Sequence, residues 1–81
     1  MTMKLLEGLR LLRADEWDAA HRIAQADPTP DGSWLHGIVH MAEPDESNAR
    51  YWYHRAGRPF PGMAALDDEM AAIEKALTAA K

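Results

Sequence analysis

The chain contains no cysteine, and its only serines are Ser33 and Ser47. The first absence excludes disulfide bonds, thiolate metal ligands, iron–sulfur ligation and cysteine nucleophiles. The two serines each stand where a helix is expected to begin, so neither predicts a nucleophile. A glycine-rich phosphate loop and a nucleophile elbow are also missing. The sequence therefore favours a non-enzymatic protein over an enzyme, and we expect no cofactor.

Long hydrophobic runs are missing as well. No apolar stretch approaches the ~18 residues that a membrane-spanning helix needs. The apolar residues of the N-terminus are interrupted by Lys4, Glu7 and Arg10, which is not typical of a signal peptide. We therefore expect a cytoplasmic protein that makes no membrane contact. Its 81 residues predict a single helical domain, 1–81.

Basic residues are fewer than acidic ones. Nine lysines and arginines face 13 acidic residues, for a formal net charge of −4. This balance disfavours nucleic-acid binding, which depends on neutralising phosphates. The charges are nevertheless unevenly placed, since residues 50–58 carry three arginines and no acid, whereas residues 66–74 carry four acids. Such a basic face and acidic helix can pair within one chain or between two copies.

Glycine and proline divide the chain into helical segments. Asp15, Ser33 and Asp45 are the expected N-caps, and Gly57 is the expected glycine at a helix C-terminus. No segment sustains the alternation of apolar and polar residues that predicts a strand. The predicted fold class is all-α, a compact array of about five helices at residues 3–13, 16–26, 33–43, 45–56 and 64–80.

A weak internal repeat appears when the chain is shifted by thirty residues. Ala19, Ile23 and Ala26 then fall on Ala49, Tyr53 and Ala56. This small-large-small spacing suits two closely packed antiparallel helices. We expect the centre of the core to consist of Trp34, Ile38, Ala49, Trp52, Tyr53 and Ala56.

The second half of the chain carries a resemblance. The run 33–61 resembles one tetratricopeptide or Sel1-like unit, with Gly37 at the small position of its first helix, Ala49, Tyr53 and Ala56 in its second, and Pro61 closing it. The chain also resembles small uncharacterised bacterial α-helical proteins with a signature that runs from Trp34-Leu35-His36 through Tyr51-Trp52-Tyr53 to Gly57-Arg58-Pro59. These resemblances imply degenerate helical hairpins and a bacterial source, and they imply no activity.

The third predicted helix places His36, His40 and Glu43 within roughly 60° of one another. Two histidines four residues apart, followed by a carboxylate, can hold a divalent metal ion. The residues between the histidines lack the glutamate of the HExxH motif. The alternative interpretation is a solvated or interhelical polar face on which the histidines bond to their neighbours.

The fourth predicted helix carries Asn48, Tyr51 and Arg55 along one flank. If this flank faces the histidines, Arg55 can pair with Glu43 and Asn48 can bond to His40. The candidate ligand-binding residues are His36, His40, Glu43, Asn48, Tyr51 and Arg55. A purely structural hydrogen-bond network between the two helices is the competing interpretation.

Two functional hypotheses follow from these patterns. The leading one is a non-enzymatic protein-interaction or structural module, because helical hairpins leave a groove or an apolar end for a partner. The partner is then another protein or a second copy in a weak homodimer. The alternative is a protein that binds a small ligand or a divalent metal through the seam between helices three and four.

Overall fold

The computed structural model describes residues 2–79, and within that range it contains helices and no strand. The helices are α1 (Thr2–Arg13), α2 (Trp17–Gln25), α3 (Pro30–Ala42), α4 (Glu46–Ala56) and α5 (Leu66–Thr78), with a 3-10 turn at Met63–Ala65. The predicted all-α array of about five helices is confirmed. None of the helices at residues 2–79 combines the length and the apolar character needed to cross a membrane.

Helix α3 lies at the centre of the molecule. It contacts each of the other four helices, and ten consecutive residues, 32–41, are buried. A helix that is apolar on all sides must be enclosed by its neighbours. The consecutive side chains of Trp34, Leu35 and His36 are accordingly at most 3% exposed although they point in different directions.

The start of α3 differs from the prediction. Ser33 was expected to cap this helix, and that is wrong, because the helix begins three residues earlier at Pro30. The N-cap is Thr29, whose hydroxyl accepts a hydrogen bond from the Gly32 amide at 3.1 Å. Pro30 suits the first helical position, where its missing N–H leaves no bond unmade. The carboxylate of Asp27 accepts from the amide and hydroxyl of Thr29 and holds this cap in place.

The other helix ends give a mixed result. Asp15 does not cap α2, because its backbone is left-handed with φ at 68°, and the N-cap position falls on Glu16 without a side-chain bond. Asp45 caps α4 by accepting from the Asn48 amide, as predicted. Gly57 ends α4 in the left-handed conformation, also as predicted. The last helix was predicted over 64–80. It begins at Leu66, and residue 80 lies outside the described residues.

The predicted core centre is confirmed for Trp34, Ile38, Ala49 and Tyr53, which are at most 2% exposed. It is wrong for Trp52 and Ala56, which are only partly buried. Tyr53 faces α3, so the preceding residue lies ~100° away around α4. Leucines of α1 and residues of α5 complete the core, namely Leu5, Leu9, Leu12, Ile73 and Leu77.

A single carboxylate joins α5 to the two helices before it. The Glu69 Oε1 atom accepts hydrogen bonds from the Trp34 indole N–H at 3.0 Å and the Tyr53 hydroxyl at 2.7 Å. Burial raises the pKa of Tyr53, and the bond to Glu69 raises that pKa further. The phenol therefore stays protonated and keeps donating at any ordinary pH.

Helices α3 and α4 pack tightly at Gly37. A Cβ atom at this position would lie 2.5 Å from Cδ1 and 2.8 Å from Cε1 of the Tyr53 ring. Gly8 in α1 is also tightly packed, but its added Cβ would meet only methyl groups of Leu35 at 3.0 Å and Ile23 at 3.1 Å. The rigid ring next to Gly37 is itself fixed by Glu69, whereas aliphatic side chains adjust more easily.

We expect Gly37→Ala to destabilise the protein by about 1–3 kcal/mol, because overpacking outweighs the roughly 1 kcal/mol that alanine gains from helix propensity. Gly8→Ala is the matched control and should change the free energy of unfolding by less than half as much. Urea unfolding followed by circular dichroism measures both. A Gly37→Ala variant as stable as the parent would show that α3 and α4 are not packed this closely.

Candidate metal centre

Two histidines of the central helix lie one turn apart in its second half. His36 is 3% exposed and His40 is 7% exposed, so neither belongs to a solvated face. Their rings stack with centroids 5.0 Å apart. The two histidines therefore lie on an interhelical face of α3 and not on a solvated one.

A third histidine, His21 of α2, completes the group. Its Nε2 atom lies 3.1 Å from Nε2 of His36, and its ring centroid lies 5.2 Å from that of His40. One ring nitrogen from each histidine can be chosen so that all three atoms lie within 4.8 Å of one another. We call His21, His36 and His40 the histidine cluster.

Two tryptophans enclose the histidine cluster. Trp17 stacks on His21 with centroids 4.9 Å apart, and Trp52 stacks on His36 at 3.9 Å. Both ring pairs are nearly parallel, with interplanar angles of 13°. The indole N–H of Trp17 donates to the Val39 carbonyl at 2.8 Å, which ties α2 to α3 beside the cluster. The two indoles thus cover the cluster with apolar surface on two sides, while His21 remains partly exposed.

Glu43 orients one of the three imidazoles. Its Oε1 atom lies 2.7 Å from Nδ1 of His40. A carboxylate at this distance accepts the Nδ1 proton, so a neutral His40 keeps its free electron pair on Nε2. Glu43 also forms a second group with His40 and Asp45, whose ligand atoms lie within 4.8 Å of one another.

His36 has one nitrogen without a partner. Its Nδ1 atom is buried and makes no hydrogen bond within the described part of the chain. An unpaired N–H costs more than an unused electron pair, so Nδ1 is the unprotonated nitrogen of the neutral ring. The proton then resides on Nε2 and is donated to Nε2 of His21.

Burial favours the uncharged form of two of the three histidines, His36 and His21. Burial, together with the adjacent imidazoles of His21 and His40, lowers the pKa of His36 to about 4. Burial is also the main cause that lowers the pKa of His21, with His40 adding to the effect. Neutral imidazoles are the form that binds metal ions. At pH 7 these two residues therefore have no proton to lose before they bind one.

The remaining predicted site residues lie apart from the cluster. Asn48 donates to the Asp45 carboxylate at 2.8 Å instead of bonding to His40, and hydrogen bonds from Asn48 lower the pKa of Asp45. Arg55 donates to the Tyr51 hydroxyl at 3.3 Å and lies over the Trp52 ring instead of pairing with Glu43. The expected seam between α3 and α4 is thus replaced by a cluster between α2 and α3, with Trp52 of α4 against its outer side.

Sequence reasoning missed His21 and Trp17 as parts of this site. A signal was available, because Trp17 and His21 are four residues apart and flank the small buried residues Ala20 and Ala24. An antiparallel hairpin of α2 and α3 would bring that edge against His36. Comparison with known proteins adds no functional information, since no family model, curated protein or solved structure matches the chain.

The lowered pKa values of His36 and His21 predict that acid destabilises the fold. At acidic pH the unfolded chain, with histidine pKa values near 6.5, binds protons at His21 and His36 that the folded protein does not bind. The stabilising effect of His36 is fully present above pH ~6.5 and is lost progressively as pH falls towards 4, by up to about 1.4 kcal/mol per pH unit. His21 contributes a loss in the same direction.

Urea midpoints measured at pH 7.5, 6.0 and 5.0 check this dependence. His36→Gln should flatten it, whereas His54→Gln, at an exposed histidine of α4, should leave it unchanged. The interpretation fails if the parent shows equal midpoints at all three pH values, or if His36→Gln keeps the parent's slope.

Proposed function

We propose that the protein binds one divalent transition-metal ion, zinc foremost, through the histidine cluster. The observation that carries this proposal is the convergence of three ring nitrogens within 4.8 Å of one another. Two nitrogens of a tetrahedral zinc site lie ~3.3 Å apart, given zinc–nitrogen bonds of ~2.05 Å. The 3.1 Å between Nε2 of His21 and Nε2 of His36 is close to that spacing.

The chemistry of the donors supports a borderline metal ion. Imidazole nitrogens suit zinc, copper and nickel better than calcium or magnesium, which prefer oxygen ligands. Three histidines leave a fourth tetrahedral position for water or another ligand. The tryptophan rings on both sides lower the local dielectric and limit the movement of the ligands.

Glu43 has a positioning role in this proposal. Histidine ligands usually donate their second ring N–H to a carboxylate or a carbonyl, which fixes the tautomer and the ring direction. The 2.7 Å contact from Nδ1 of His40 to Glu43 provides that partner. Glu43 was expected to be a ligand, and we now assign it to orienting His40 instead.

The unpaired Nδ1 of His36 limits the affinity that we expect. Binding a metal through Nε2 would move the proton to Nδ1, where it finds no acceptor. A buried unpaired N–H costs about 1–3 kcal/mol, or roughly fivefold to 150-fold in affinity. We therefore expect micromolar binding rather than the much tighter binding of a structural zinc site.

The interaction-module hypothesis remains beside this proposal. Tyr51 is 50% exposed and is held by Arg55, so this pair is the natural place to look for a protein partner on α4. Partner binding, weak self-association, the tetratricopeptide-like relationship and the cytoplasmic location all stay predictions. None of them conflicts with a metal site between α2 and α3.

Calorimetric titration of tag-free, metal-stripped protein with zinc chloride at pH 7.5 tests the proposal. We expect one zinc per chain with micromolar affinity. His21→Gln should weaken zinc binding at least tenfold, because it removes one of the three ligands. Since His21 is only partly buried, the variant should keep its core intact. The matched control is His54→Gln, which removes an exposed histidine away from the cluster and should bind zinc as the parent does.

Three outcomes would overturn the metal site. They are the absence of saturable binding, equal binding by His21→Gln and the parent, and loss of binding in His54→Gln. Glu43→Gln adds a separate measurement, since it keeps an oxygen next to His40 but removes the charge. We expect this variant to bind zinc about tenfold more weakly.

A further inference from the structure

A cavity lies between the first turns of α1 and the end of α2. None of its lining residues belongs to the histidine cluster. Its volume is about 380 Å³, and its lining is mostly apolar. This volume is in the range of small-molecule sites, about 300–1,000 Å³. We call it the cationic hollow and define it by its lining residues Lys4, Arg22, Ile23, Ala26 and Asp27.

The two cations of the hollow have no acidic partner. Lys4 and Arg22 are exposed, and within residues 2–79 neither takes part in an ion pair. Arg10, Arg13 and Arg50 are instead each paired with a glutamate. Two positive charges therefore stand beside an apolar surface without being neutralised.

The single acid of the hollow is already engaged. Asp27 is 9% exposed, and its Oδ1 atom accepts hydrogen bonds from both the amide and the hydroxyl of Thr29. This carboxylate serves the start of α3 and does not extend towards either cation as a partner. The hollow keeps a net charge of +1, which complements a singly charged anion.

The apolar surface that Ile23 gives the hollow is present before any ligand binds. Ile23 packs against Gly8, where a Cβ atom would lie 3.1 Å from its Cγ2 methyl. This contact packs α1 against α2 at Ile23. A preformed apolar surface lowers the entropic cost of binding.

We propose that the cationic hollow binds a small organic monocarboxylate with an apolar body. The guanidinium of Arg22 can meet a carboxylate with two parallel hydrogen bonds, and Lys4 adds a second positive charge. The apolar body lies on Ile23 and Ala26, where its burial contributes in proportion to its area. Neither the charge nor the apolar surface alone would select such a ligand.

Octanoate is the probe, titrated into tag-free protein and followed by amide chemical shifts in two-dimensional NMR spectra. We expect saturable shifts centred on Ile23 and Ala26. Octanol and acetate, which lack the charge and the apolar body respectively, should bind at least fivefold more weakly. Arg22→Gln and Lys4→Gln should each weaken octanoate binding about three- to fivefold. Arg50→Gln is the control for a change of charge elsewhere, and should have no effect.

The proposal is overturned if octanol binds as well as octanoate, if Arg22→Gln binds octanoate like the parent, or if the shifted amides lie outside the hollow. His21→Gln separates this site from the metal site. It should leave octanoate binding unchanged whether or not the protein binds zinc.

Discussion

The burial of residues 32–41 of α3 is the constraint on which the rest of the structure depends. Water does not reach this helix along ten consecutive residues, so each polar side chain in it needs a partner from the protein. His36 finds His21 in α2, and the indole of Trp34 finds Glu69 in α5. The polar groups of the central helix thereby determine which residues the surrounding helices must present to it.

The same constraint bears on the metal site that we propose at the histidine cluster. In the metal-free protein, a hydrogen bond between two Nε2 atoms at 3.1 Å joins α2 to α3. The nitrogens bound to one tetrahedral metal ion would be ~3.3 Å apart. An ion could therefore take the place of the proton between the two Nε2 atoms with little movement of either helix, and that proton would move to Nδ1 of His36.

The sequence predicted those features that depend on neighbours along the chain. The cap at Asp45 and the left-handed glycine at Gly57 need only a few local residues, and both are confirmed. The cap of α3 was misplaced because Ser33 and Thr29 are both suitable residue types. The choice between them was decided by Asp27, which accepts two hydrogen bonds from Thr29.

The same distinction applies to the candidate site: local relations were predicted, and contacts between helices were not. The spacing of His36 and His40 placed them together on one side of a helix, since their relation is local. The pairing of His36 with His21 depends on how α2 crosses α3, and helix periodicity alone does not specify that crossing. Glu69 was likewise read only as one of several acids at the start of α5, because its partners lie 16 and 35 residues away.

The shared carboxylate of Glu69 also sets the register of α5. Sliding this helix by one turn would move the carboxylate ~5.4 Å along the axis and leave two buried donors, on Trp34 and Tyr53, without an acceptor. A helix whose apolar stripe repeats every turn would otherwise have several almost equivalent positions. Glu69 makes one of them unique, and so determines that Ile73 and Leu77 are the residues that close the core.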